Sequence, residues 1–278
     1  MFWPIEPFEL VFMQRAALEI VLLAPLAGFI GAQIVLRRLA FYTHAVGTAT
    51  FPGLVVAGPA GIPPALAALA VGGVFASFLE RLERLRSGGR DVVTAMLLVA
   101  ALAVGIVLAS DVFGSGSAVD RLLFGSLLAI GAEELVATGV ALLIATTAIV
   151  RCRRTWIASG FDPAGAAPLG LRSSRADWAL LAVIAVAVIA AIDAVGALLV
   201  SAILVIPAAT VRLLAKSVWS LELGTAALAF LEGIAGLLLA FELDVPPGAA
   251  IAVIGGVGFA VVATFTALTG RTLDEARA

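Results

Sequence analysis

Apolar residues run through this chain in blocks of about 20, the length that crosses a bilayer as one helix. The blocks fall near 16–36, 43–59, 64–83, 91–110, 131–150, 177–194, 196–215, 219–241 and 248–269. The pattern predicts an all-α polytopic membrane protein with about nine spans, within a range of roughly eight to ten. The second block is short, and the sixth and seventh are barely separated. Residues 1–15 read as an amphipathic lead-in lying in the interface. With that lead-in included, the whole chain, 1–278, is expected to fold as a single transmembrane domain.

Two stretches between the blocks are more polar. The first, 111–135, reads as an outside loop running into a short amphipathic segment. The second, 151–176, is the longest inside loop. Its "AGAAPLGL" reads as a short helix bracketed by Pro and Gly. Trp156, Ile157, Phe161 and Leu169 make it too apolar for a disordered linker. A helix of this kind lies along the membrane and docks a partner, and Phe161, Asp162, Pro168, Leu169 and Gly170 are the expected docking residues.

Charge assigns an orientation to the nine spans. With the N-terminus outside, the inside segments hold Arg37, Arg38, Arg81, Arg84, Arg86, Arg90, Arg151, Arg153, Arg154, Arg172, Arg175, Arg212, Lys216, Arg271 and Arg277. Of the 17 basic residues only Arg15 and Arg121 fall outside. That asymmetry predicts N-out, C-in.

Composition agrees and narrows the function. Hydrophobic residues make up 62% of the chain and charged ones 13%, with a mean hydropathy of +1.15. A net charge of −2 gives no field for nucleic acid. Lys216 is the only lysine and no GxxxxGK[ST] is present, so the chain is not expected to hydrolyse nucleotide by itself. Cys152 is the only cysteine, so no intrachain disulfide forms. The opening "MFWPIEPFEL" has no basic n-region, and no removable signal peptide is expected.

Polar residues inside the blocks are the candidate chemistry. A carboxylate at the bilayer centre costs ~2.5–3.5 kcal/mol on insertion scales, so it normally faces the bundle interior. Glu232, in "AFLEGIAGLLL", is the strongest such candidate. Asp193, in "AAIDAVGALL", lies near the outer end of its block. His44 is the only histidine, six residues past Arg38 and close to the inner surface. Thr48 and Thr50 either line a path or bond back to carbonyls one turn earlier, and back-bonding is expected of Thr50. Pro52 with Gly53, and Pro207, mark helices expected to break.

Four segments together resemble the membrane permease subunits of zinc and manganese ABC importers. They are "VLRRLAFYTHAVGTATFPG", "RLLFGSLLAIGAEEL", "VGALLVSAILVIPAATVRLLA" and "ELDVPPGAAIAVIGG", in the family's order from about residue 25 to 260. The resemblance implies an importer permease in a bacterial cell membrane, paired as a homodimer. A separate ABC ATPase and an extracytoplasmic metal-binding protein would be its partners. The cargo would be a divalent metal, zinc first and manganese or a metal chelate as alternatives, with no permanently bound cofactor. The permease itself would not be an enzyme. The family places an acid where His44 stands and a histidine where Thr48 stands, so the usual pair is altered here. By resemblance Glu232, His44 and Thr48 are metal contacts, and Asp193 is a further metal candidate from its place in its block. A proton-coupled secondary carrier relaying through Asp193 and Glu232 is the rival from another class. A purely structural membrane protein is made less attractive by the buried acids.

Overall fold

The computed structural model describes residues 6–85, 90–112, 123, 125–161, 163–166, 174–197 and 199–269. Among these the chain builds nine membrane rods from twelve α-helices. The first rod joins α1 (Val11–Leu26) to α2 (Ala32–Leu36) through a π-helical segment, Ala27–Gly31. The second joins α3 (Ala40–Ala49) to α4 (Phe51–Ala60). Then follow α5 (Pro64–Leu85), α6 (Arg90–Val107) and the long α7 (Ala132–Phe161). One helical turn, α8 (Pro163–Ala166), separates α7 from α9 (Ser174–Val195). The chain ends with α10 (Val200–Arg212), α11 (Val218–Leu243) and α12 (Pro247–Leu268). Among the described residues six of these rods are long and apolar enough to cross a membrane, and α10 is a shorter apolar helix.

The rods pack as two connected groups. α1 lies between α7 and α11, while α10, α11 and α12 pack on one another. α3 and α4 pack with α5 and α6, and α3 also meets α9 and α10. Small residues set the close approaches. A Cβ on Gly28 would stand 2.7 Å from the carbonyl oxygen of Glu222, so only glycine lets the π segment lie this near α11. The segment begins two residues after Pro25, whose ring removes a backbone donor from the ladder.

Several boundaries differ from the sequence reading. The first rod starts at Val11, inside the expected lead-in, because Met13 and Ala16 are fully buried. α7 continues through Arg151–Phe161, which was expected to be loop. Its extension is held by the buried indole of Trp156, whose Nε1 donates to the carbonyl of Ala176 at 2.7 Å. The loop between α7 and α9 is therefore shorter than 151–176, and only the Pro163–Ala166 turn of its expected helix lies in the described residues. The second rod does break, at Thr50 just before Pro52. α10 instead runs unbroken through Pro207. Gly196, at φ +92°, makes the tight turn between α9 and α10.

Candidate ion path

Glu232 sits midway along α11 and is 6% exposed. Its carboxylate rests on α12 at two glycines. A Cβ added to Gly255 would lie 3.0 Å from Oε2 and 3.2 Å from Cγ2 of Ile206, on α10. One added to Gly258 would lie 3.6 Å from Oε1. Oε1 has no hydrogen-bond donor among the described residues. An acid kept for packing is normally satisfied, because an unmet buried group costs roughly 1–3 kcal/mol. Here the glycines supply room and no donor.

His44 is half-buried on the second turn of α3, with Nδ1 3.1 Å from the Ser201 hydroxyl on α10. Thr48 follows one turn later on the same face. It is fully buried, and its hydroxyl makes no hydrogen bond among the described residues. Thr50 bonds back, as expected, donating to the Gly47 carbonyl at 2.8 Å. Asp193 lies within α9, and its side chain is outside the described residues.

The structure does not gather these groups into one ligand set. Among the described residues no three of His, Cys, Asp and Glu stand close enough to hold an ion together. His44 meets α10 at Ser201, while Glu232 shares the surface of Gly255 with Ile206 of α10. Five residues separate these points by about 7.5 Å along the helix and about 140° around it. The two candidates thus address different sides of α10.

A model of the ABC 3 transport family matches residues 9–267. The chain belongs to that family. It is 29% identical to the manganese transport system membrane protein MntC of Halalkalibacterium halodurans, over 93% of this chain and 89% of that one. It is 27% identical to the chelated iron transport system membrane protein YfeD of Yersinia pestis, over 92% and 86%. Its fold is similar to a chain of PsaBC from Streptococcus pneumoniae in complex with Fab. There the TM-score is 0.84 at 22% identity, covering 91% of each chain.

The ABC 3 chain is thus a multi-pass permease subunit, not itself catalytic, whose family implies an ATPase and a binding protein as partners. Of its expected docking residues, Phe161 ends α7 and is 59% exposed. Asp162, Pro168, Leu169 and Gly170 lie outside the described residues.

The permease also buries acids that the sequence reading passed over. Glu19, 1% exposed on α1, accepts a 2.6 Å hydrogen bond from the Thr138 hydroxyl on α7. It was hidden by its nearness to the expected lead-in. Glu222, 2% exposed on α11, pairs with Arg153 at 2.7 Å. The Arg153 guanidinium also lies 4.9 Å from the centre of the Trp219 ring. Both acids lie within apolar blocks, which is the signal that could have found them.

Proposed function

We propose that this permease imports a divalent first-row metal ion, delivered from outside by a binding protein and driven by ATP hydrolysis on a separate inner subunit. The family match over residues 9–267 carries the reading. The N-out, C-in orientation and a pair of permeases per transporter belong to the same proposal. Glu232, His44 and Thr48 line the path as successive weak contacts, with water completing the coordination. Weak and separated sites suit conduction, because a pathway must release what it binds.

Donor chemistry bears on the cargo. One carboxylate, one hydroxyl and one imidazole supply more oxygen than nitrogen, which suits manganese or ferrous iron more than zinc. The names of MntC and YfeD point the same way. Zinc, the cargo expected from the sequence, keeps the support of His44. The test is uptake into vesicles holding the permease, its ATPase and its binding protein, with manganese, ferrous iron and zinc each supplied alone. Uptake should require ATP and persist when an uncoupler collapses the proton gradient. Uptake that stops with the uncoupler while ATP remains plentiful would transfer the chain to the secondary carriers.

A further inference from the structure

We propose that Arg37 couples the ATPase-facing loop to the ion path, by tying both helices at the base of that loop to the rod that carries His44. The inference rests on the permease reading above. Arg37 caps α2, and its guanidinium is nearly buried. Nη1 donates to Oδ1 of Asp177 at 2.6 Å, in the first turn of α9. Nη2 donates to the Trp156 carbonyl at 3.0 Å and to the Ser159 hydroxyl, both in the last turns of α7. The side chain runs past Gly160, where an added Cβ would meet Cγ at 3.5 Å. One planar fork therefore joins the end of α7 to the start of α9. Trp156 Nε1, donating to Ala176, makes a second tie between the same two helices. Only the loop that contains α8 lies between them.

The other side of Arg37 leads to the path. Arg37, Arg38 and Leu39 are the whole connection from α2 to α3. Arg38 holds a left-handed φ of 57°, and the Leu39 amide bonds to the Ile34 carbonyl at 2.8 Å. Thr43 Oγ1 then bonds back to the Leu39 carbonyl at 3.0 Å. A three-residue turn pinned at both ends has little slack. Displacement of the α7–α9 base moves α3, and with it the His44–Ser201 contact, one residue beyond Thr43. A lysine in place of Arg37 keeps a charge for Asp177 but loses the fork that reaches Trp156 and Ser159 at the same time. Arg37 touches no cargo in this scheme. It acts by position.

The test compares Arg37→Ala, Arg37→Lys, Asp177→Asn and Ser159→Ala in reconstituted vesicles with the ATPase and binding protein, using manganese(II) as cargo. Both ATP hydrolysis and manganese uptake are measured. In Arg37→Ala, ATP hydrolysis without cargo should match the unmodified complex, while manganese carried per ATP falls roughly tenfold, the scale of losing one charge-assisted contact. Arg37→Lys should fall in between. If Arg37→Ala carries as much manganese per ATP as the unmodified complex, the inference is wrong. If Arg37→Ala does not insert or assemble, Asp177→Asn and Ser159→Ala decide. Asp177→Asn removes the charge opposite Nη1 and Ser159→Ala the acceptor opposite Nη2; each should lower the ratio, and an unchanged ratio in both overturns the proposal. An unmodified complex without ATP-dependent uptake of manganese, ferrous iron or zinc would instead sink the permease reading.

Discussion

Glu232 and His44 differ in what removal leaves behind. Glu232→Gln keeps volume and polarity but removes the carboxyl group facing Gly255 and Gly258. It should reduce metal-stimulated ATP hydrolysis by the assembled complex severely. His44→Ala deletes a half-buried imidazole that meets the Ser201 hydroxyl, where water can take its place, and should weaken stimulation less. Equal expression of the two variants makes the comparison direct. A dead His44→Ala beside a fully active Glu232→Gln would reverse the ranking. Gly255→Ala is a finer probe. Its methyl would press on Oε2 of Glu232 and on Ile206. The carboxylate end can swing away, so the variant should fold normally and still lose part of its metal stimulation.

At the scale of elements, glycine contacts and buried polar pairs hold the rods in register. A Cβ on Gly236 of α11 would come within 2.8 Å of Cα and 2.9 Å of N of Ile251, both backbone atoms of α12. Backbone cannot swing aside, so Gly236→Ala should destabilise the protein by roughly 1–3 kcal/mol. Thermal unfolding in detergent reads this as a lowered midpoint. Thr138→Val is isosteric but removes the hydroxyl that donates to Glu19 between α7 and α1. A buried carboxylate that loses a donor should cost roughly 1–3 kcal/mol. The matched variant Thr138→Ser keeps the donor and should stay close to the unmodified midpoint. If valine and serine behave alike, the hydroxyl is not what stabilises that contact.

For the whole molecule, the proposed coupling through Arg37 has the ATPase dock at the loop between α7 and α9. Phe161 closes α7 and presents most of its ring to the surroundings. Phe161→Asp should abolish copurification with the ATPase while leaving membrane insertion intact. Unchanged complex yield would place the docking surface elsewhere.

The apolar blocks, the nine rods and the break before Pro52 were legible in the sequence, because spans are set by local hydropathy and proline acts on its own turn. The family resemblance was legible in four short segments for the same reason. What the chain order could not supply is which faces meet. Whether Pro207 kinks α10 depends on its neighbours, and here the helix continues through it. The helical run through Arg151–Phe161 looked like loop because its arginines are polar. It is helical because Trp156 is buried and Arg37 arrives from more than a hundred positions away. The separation of His44 from Glu232 on two sides of α10, and the burial of Glu19 and Glu222, are likewise decided by packing. Hydropathy reports how much of a segment leaves water, while only tertiary contact determines which partner each polar atom then meets.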